Sequence, residues 1–310
     1  METLFLSPVL ILAIAMILGF FMAWGIGAND VANAMGTSVG SKALTLKQAV
    51  IIAAIFEFLG AFLAGGEVTS TIRKGIVDPE IYSNDLNIFI IGMMASLLAA
   101  GTWLYIASNR GWPVSTTHSI VGAIIGFVLI TKGVDAVSWS KVGEIASSWI
   151  TSPLISGFLA FLIYISAKKL ILQAKDKIDA AIFYIPFYSF FVAGVIAQVI
   201  ARKGLTHIGF SWNDSEVWAF TAFIALSTAL VTSFVLRMKR TSIASKGDIE
   251  SAFSVLMIVT ACAMAFAHGS NDVANAIGPL AAIFSVVNSN DLSSTSAINP
   301  LILILGGAGI

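Results

Sequence analysis

Eight uninterrupted apolar runs, each long enough to cross a hydrocarbon layer of about 30 Å, occupy residues 4–24, 47–64, 86–108, 114–131, 149–167, 181–201, 216–236 and 251–268. Shorter or interrupted runs follow at 276–287 and 298–310. A chain patterned this way has few options. Every backbone N–H and C=O inside a bilayer needs an internal partner, which leaves helices or a closed barrel. Barrel strands alternate in polarity, whereas these runs are continuous and rich in Leu, Ile, Ala and Phe, so the class is all-α and polytopic. Composition agrees, because 57% of the residues are hydrophobic and only 11% are charged, against about a quarter charged in soluble domains.

The N-terminus, Met1-Glu2-Thr3, lacks the basic segment of a secretion signal, so the first run reads as a retained helix. Formal net charge is zero, which removes the basic bias that nucleic-acid binding requires. Membrane lipid is the expected surroundings. The single cysteine, Cys262, lies inside an apolar run and reads as a small buried hydrophobe, with no intrachain disulfide possible.

Sorting the seventeen Lys and Arg by connection gives eleven on one side, among them Lys168, Lys169, Lys175, Lys177, Arg237, Lys239 and Arg240, and six on the other. The positive-inside rule then predicts an N-terminus outside the cell membrane. The stretch Arg237–Glu250 is the most polar connection and reads as a cytoplasmic linker between two parts, 1–236 and 251–310. The last residues, Gly306 to Ile310, fall within an apolar run, so a continuation of the chain is expected.

Residues 27–36 read GANDVANAMG and residues 269–278 read GSNDVANAIG. Such a repeat marks a transporter assembled from two units with its site between them, and the span count makes the two units inverted. Each copy sets Asn, Asp and a second Asn (Asn29, Asp30, Asn33; Asn271, Asp272, Asn275) against an apolar stretch flanked by glycine. An ionised Asp at the centre of a spanning helix costs about 2.5–3.5 kcal/mol on insertion scales, so it is expected to face a cavity, a partner or a bound ion. Asp30 and Asn33 are one helical turn apart and can address one spot. Helix breaks at these motifs are expected, offering carbonyls and carboxylates to sodium and free N–H groups to an anion. The plainer alternative makes the Asn and Asp residues caps of short helices.

A second motif, Gly111-Trp112-Pro113-Val114-Ser115-Thr116-Thr117-His118-Ser119, precedes the apolar run VGAIIGFVLI. Pro113 favours a helix start, and hydroxyls in a first turn beside unpaired N–H groups suit a phosphate. Ordinary capping by Ser115 is the alternative here. Mid-helix Glu57 reads as a cation or gating residue. His118 and His268 each adjoin a motif and could move protons near neutral pH, although a packing histidine is the more common case, and His207 reads as incidental.

Taken together, GANDVANA, GSNDVANA and GWPVSTTHSIVGAIIG resemble the signature of the inorganic phosphate transporter (PiT) family. That resemblance implies about twelve spans, of which about ten are visible here, in two inverted repeats with broken or re-entrant helices. Phosphate and coupling cations would bind near the midplane. It makes Asp30 and Asp272 the essential acids, assigns Asn33, Asn275 and Ser115 to Thr117 to the substrate site, and matches Glu57 to a family glutamate. The family's second Ser-Thr-Thr segment has no counterpart before Ile310.

The expected function is secondary transport, not enzymatic catalysis, with sodium as co-substrate, no organic cofactor and a possible homo-oligomer. Asn29, Asp30, Asn271, Asp272 and Glu57 are the candidate sodium ligands. Proton coupling, metal-phosphate transport or transport of a cation or divalent metal alone are the alternatives. A hydrolase using Ser115 and His118 is disfavoured, because no nucleophile elbow surrounds the serine.

Overall fold

The computed structural model describes residues 4, 6–74, 76–204, 212–246, 249–289 and 299–310. His207, part of the linker and residues 290–298 lie outside the described set. The described chain is built from nine α-helices: α1 (Pro8–Gly40), α2 (Leu46–Lys74), α3 (Leu86–Asn109), α4 (Thr116–Lys132), α5 (Trp139–Ala167), α6 (Lys177–Val199), α7 (Asp214–Lys246), α8 (Glu250–Ser289) and α9 (Pro300–Gly309). Seven are long and apolar enough to span a membrane, and α4 and α9 are shorter. No strand occurs among the described residues.

Two boundaries differ from the sequence reading. The first apolar run continues through its Asn-Asp motif to Gly40, so α1 has 33 residues and a length of about 50 Å. The runs 251–268 and 276–287 merge into α8, whose 40 residues extend about 60 Å. The expected breaks at Asn29–Asn33 and Asn271–Asn275 are therefore absent, and neither set caps a helix start. The reason is local. Their side chains find partners on other helices and on one another, so they do not compete for the backbone bonds that hold the helices together.

Helix α8 is the axis, packed against α1, α2, α3 and α6. Its contacts with α1 run in opposite order along the two helices: a Cβ on Gly19 would press on Leu280, while the later Asp30 meets the earlier Asp272. The motif-bearing helices are thus antiparallel. Helices α2 and α8 touch backbone to backbone: a Cβ on Gly60 would fall on the Phe266 carbonyl, and one on Gly269 would fall on the Glu57 backbone. Small residues permit this approach, and it brings Glu57 against α8.

The main core joins Ile11, Met22 and Ile26 of α1 to Phe89, Leu97 and Leu104 of α3, Ile120 and Ile124 of α4, and Val273, Ile277 and Leu280 of α8. A smaller cluster (Ile171, Ala181, Ile185, Leu236, Ile243, Ala252) joins α6, α7 and the start of α8. Tyr82, fully buried, bonds Thr131 at 2.6 Å, and Lys132 pairs with Asp85 at 2.5 Å. These contacts anchor the far end of α4, so its first turn is presented to α8 from a fixed base.

Candidate functional site

Helix α4 starts at Thr116, three residues after Pro113, which lies in the preceding loop and not at the helix start the sequence suggested. Ser115 is the N-cap, its Oγ accepting from the His118 N–H at 3.2 Å, which fulfils the capping alternative for this hydroxyl. Thr116 and Thr117 then occupy the first helical turn and face α8. The Thr116 hydroxyl donates to Asp272 Oδ2 at 3.2 Å and accepts from Asn275 Nδ2 at 3.3 Å. Asn275 Nδ2 also donates to Thr117 Oγ1 at 3.1 Å. Thr116 and Asn275 are each 2% exposed, so the bond between them is withdrawn from solvent and the other two are partly shielded.

Asp30 and Asn33, one turn apart on α1, touch each other: Asn33 Nδ2 donates to Asp30 Oδ1 at 3.1 Å. In the other copy Asn271 Nδ2 donates to Asp272 Oδ1 at 2.9 Å. Ligand atoms of Asp30, His268 and Asp272 all lie within 4.8 Å of one another, an arrangement that could hold a metal ion. Glu57, 1% exposed, completes the group from α2.

His268 was missed as a functional candidate. Its Nδ1 lies 3.2 Å from Glu57 Oε1 and its Nε2 3.4 Å from Asp272 Oδ2, so the ring separates the two carboxylates. These approaches are within ion-pair distance, although none is an aligned hydrogen bond. The available signal was the spacing of His268 and Asp272, one turn apart on the same helix face.

Asn29 departs from its expected place among the sodium ligands. Its Oδ1 accepts from the Val114 N–H at 3.2 Å, and its Nδ2 donates to Ser108 Oγ and the Trp112 carbonyl, both at 3.1 Å. These bonds consume the amide and tie α1 to the loop that carries Ser115. The asymmetry between repeats follows from packing: Asn29 is buried against that loop, whereas Asn271 is exposed and lines a cavity.

The cavity measures about 570 Å³ and is lined by Ser115, Thr117, His118 and Val121 of α4, Asn271 and Asn275 of α8, Ile76, and Ile145, Ser148, Trp149, Ser152 and Pro153 of α5. The carboxylate group adjoins it through Thr116 and Asn275. Nine of the ten candidate residues thus converge, with Asn29 holding the loop behind them.

Spanning helices packed around buried carboxylates and amides, with a cavity beside them into which hydroxyls and amides project, define a polytopic membrane protein that handles small ions within its interior. The chain belongs to the phosphate transporter family, whose model matches residues 26–310. It is 49% identical over 302 residues to a Haemophilus influenzae protein named as a phosphate permease, spanning 96% of this chain and 72% of that one. It is 39% identical to an Arabidopsis thaliana chloroplastic inorganic phosphate transporter, spanning 95% of this chain and 54% of the relative. Among solved structures it resembles one described as the sodium-dependent phosphate transporter, with a TM-score of 0.86 and 38% identity, covering 96% of this chain and 73% of that one.

Proposed function

We propose that this phosphate transporter family member is a sodium-coupled symporter, in which sodium binds among Asp30, Asp272 and Glu57 and phosphate binds beside it against Ser115, Thr116, Thr117, Asn33 and Asn275. One observation carries the reading: the Thr116 hydroxyl bonds both Asp272 and Asn275, so the anion-binding turn and the carboxylates share a group. The sodium dependence named for the structural relative points the same way.

Electrostatics supply the coupling. Three carboxylates close together in a low-dielectric interior repel one another and an incoming anion. No Lys or Arg lies in either Asn-Asp motif or between Gly111 and Ser119. Positive charge must therefore come mainly from bound cations, from the α4 N-terminus and, when it carries a second proton, from His268 between the carboxylates. Sodium binding lowers the cost of admitting phosphate, phosphate tightens sodium binding, and movement of the packed repeats re-exposes the site. Because α1 and α8 are continuous, side chains take the role first expected of broken backbone. Asn29 acts in this scheme by positioning the loop.

Calorimetric titration of purified protein with phosphate, in sodium and then in choline at equal ionic strength, tests the coupling. Affinity should fall by at least about tenfold in choline, a coupling free energy of about 1.4 kcal/mol. Equal affinities in the two salts reject the sodium bridge. The contact of His268 with both Glu57 and Asp272 favours protons as the second reading; uptake driven by a pH gradient without sodium would establish it. The reading includes a cell-membrane location with the N-terminus outside. A Ser7→Cys variant lacking Cys262 should then react with an impermeant thiol reagent added to intact cells, and protection until lysis would reverse the orientation.

A further inference from the structure

The carboxylate cluster contains a group for which sodium has little use. Hard cations take oxygen ligands, whereas imidazole nitrogen suits borderline divalent ions of the zinc and cobalt kind. His268 shares the cluster with Asp30 and Asp272, and one ligand atom from each of the three lies within 4.8 Å of the other two. These residues come from α1 and α8, the two helices that carry the repeated motif.

Spacing and surroundings both fit a bound ion. His268 Nε2 and Asp272 Oδ2 are 3.4 Å apart without forming an aligned hydrogen bond. Two ligands of one tetrahedral zinc, each about 2.0–2.1 Å from the metal, lie about 3.3 Å from each other. The other ring nitrogen, Nδ1, lies 3.2 Å from Glu57 Oε1. A carboxylate there favours the proton on Nδ1 and leaves the Nε2 lone pair for a metal, which is how ligating histidines are oriented. Glu57 is buried, and neither of its oxygens accepts a hydrogen bond among the described residues, so the ring is its polar neighbour. The aspartates are oriented as well: Asn33 donates to Asp30, and Asn271 and Thr116 donate to Asp272. Each ligand thus has an outer partner, as metal sites require. Three protein ligands leave a fourth position for an exchangeable one.

We propose that Asp30, His268 and Asp272 form a binding site for a divalent transition ion such as zinc or cobalt, with Glu57 orienting the imidazole. Magnesium and calcium, which prefer oxygen throughout, are poor occupants. Two of the three ligands are those assigned to sodium above, so zinc and sodium exclude each other. That exclusion rests on the sodium reading, whereas the zinc site stands without it.

Tag-free protein carrying Cys262→Ala, purified in detergent and choline chloride, is titrated with zinc and with cobalt. One equivalent should bind, cobalt should show the intense visible absorption of a four-coordinate ion, and excess magnesium should not displace it. X-ray absorption at the zinc edge should find one imidazole among oxygen ligands. Glu57→Gln, which keeps all three ligands, should weaken zinc binding about 10–100-fold, and His268→Gln should weaken it at least as much. Added sodium should weaken it too. Failure of the starting protein to bind zinc, an all-oxygen shell around the bound ion, or full affinity in His268→Gln overturns the site, and the first two outcomes need no further variant to fold. Zinc bound through His268 yet indifferent to sodium upholds the zinc site and overturns the sodium placement, so the two failures are distinct.

Discussion

Thr116→Val replaces a hydroxyl with a methyl group of nearly equal size at a position 2% exposed. It deletes the bond to Asp272 Oδ2 and the acceptor for Asn275 Nδ2, while Asn275 keeps Thr117 and Asp272 keeps Asn271. The helix start is unaffected because Ser115 is the cap. A hydrogen bond to a charged group is worth about 1.5–3 kcal/mol, which corresponds to roughly tenfold to a hundredfold in an equilibrium constant. If Thr116 links the carboxylate group to the anion turn, the loss falls on both ligands. The phosphate KM in proteoliposomes should rise within that range, and the ratio of phosphate affinities in sodium and choline should shrink toward one. Thr116→Ser, which restores the hydroxyl, should recover most of both. Monodispersity in detergent and an unchanged melting temperature would establish that the variant is folded. Sodium and phosphate KM values within about twofold of the parent, a difference below 0.5 kcal/mol, would refute the link.

Asn29→Ala removes three hydrogen bonds, one from α1 to the end of α3 and two to the loop that precedes α4; at about 1 kcal/mol each, it should lower thermal stability and raise the phosphate KM more than the sodium KM. Equal effects on both KM values would count against a loop-positioning role. Gly269→Ala forces a methyl group into the Glu57 backbone and should cost at least about 1–3 kcal/mol through overpacking, read as loss of folded protein in a detergent melt. An unshifted melt would show that α2 and α8 stand further apart.

The helical class, most span positions and the identity of the acidic pairs were legible because each has a strong local signature. Continuous apolar runs exclude strands, and an Asn-Asp repeat in apolar surroundings has few inexpensive explanations. Helix continuity was not legible, since Gly27 and Gly269 beside Asn and Asp read locally as a break; the tertiary bonds that remove the need for one come from residues distant in sequence. Asn29 and Asp30 are adjacent yet face different partners, a division set by where the α3–α4 loop lies. His268 was hidden for a similar reason: its importance comes from Glu57, which the close α2–α8 approach presses against it.

That approach has a consequence for how the molecule is made. Asp30 and Glu57 are synthesised early, and the helix that carries His268 and Asp272 emerges only after five further helices. Until α8 arrives, α1 and α2 must sit in or beside the insertion machinery with acidic groups whose eventual neighbours do not yet exist. A carboxylate in that position is costly in hydrocarbon, so these two helices will be held late at a protein or water boundary, or carry their acids protonated. Release of the first hairpin into lipid is then tied to synthesis of α8. A ribosome-arrested intermediate ending before Glu250 should remain crosslinkable to the translocation channel through α2, and one extended well past Ser289 should not.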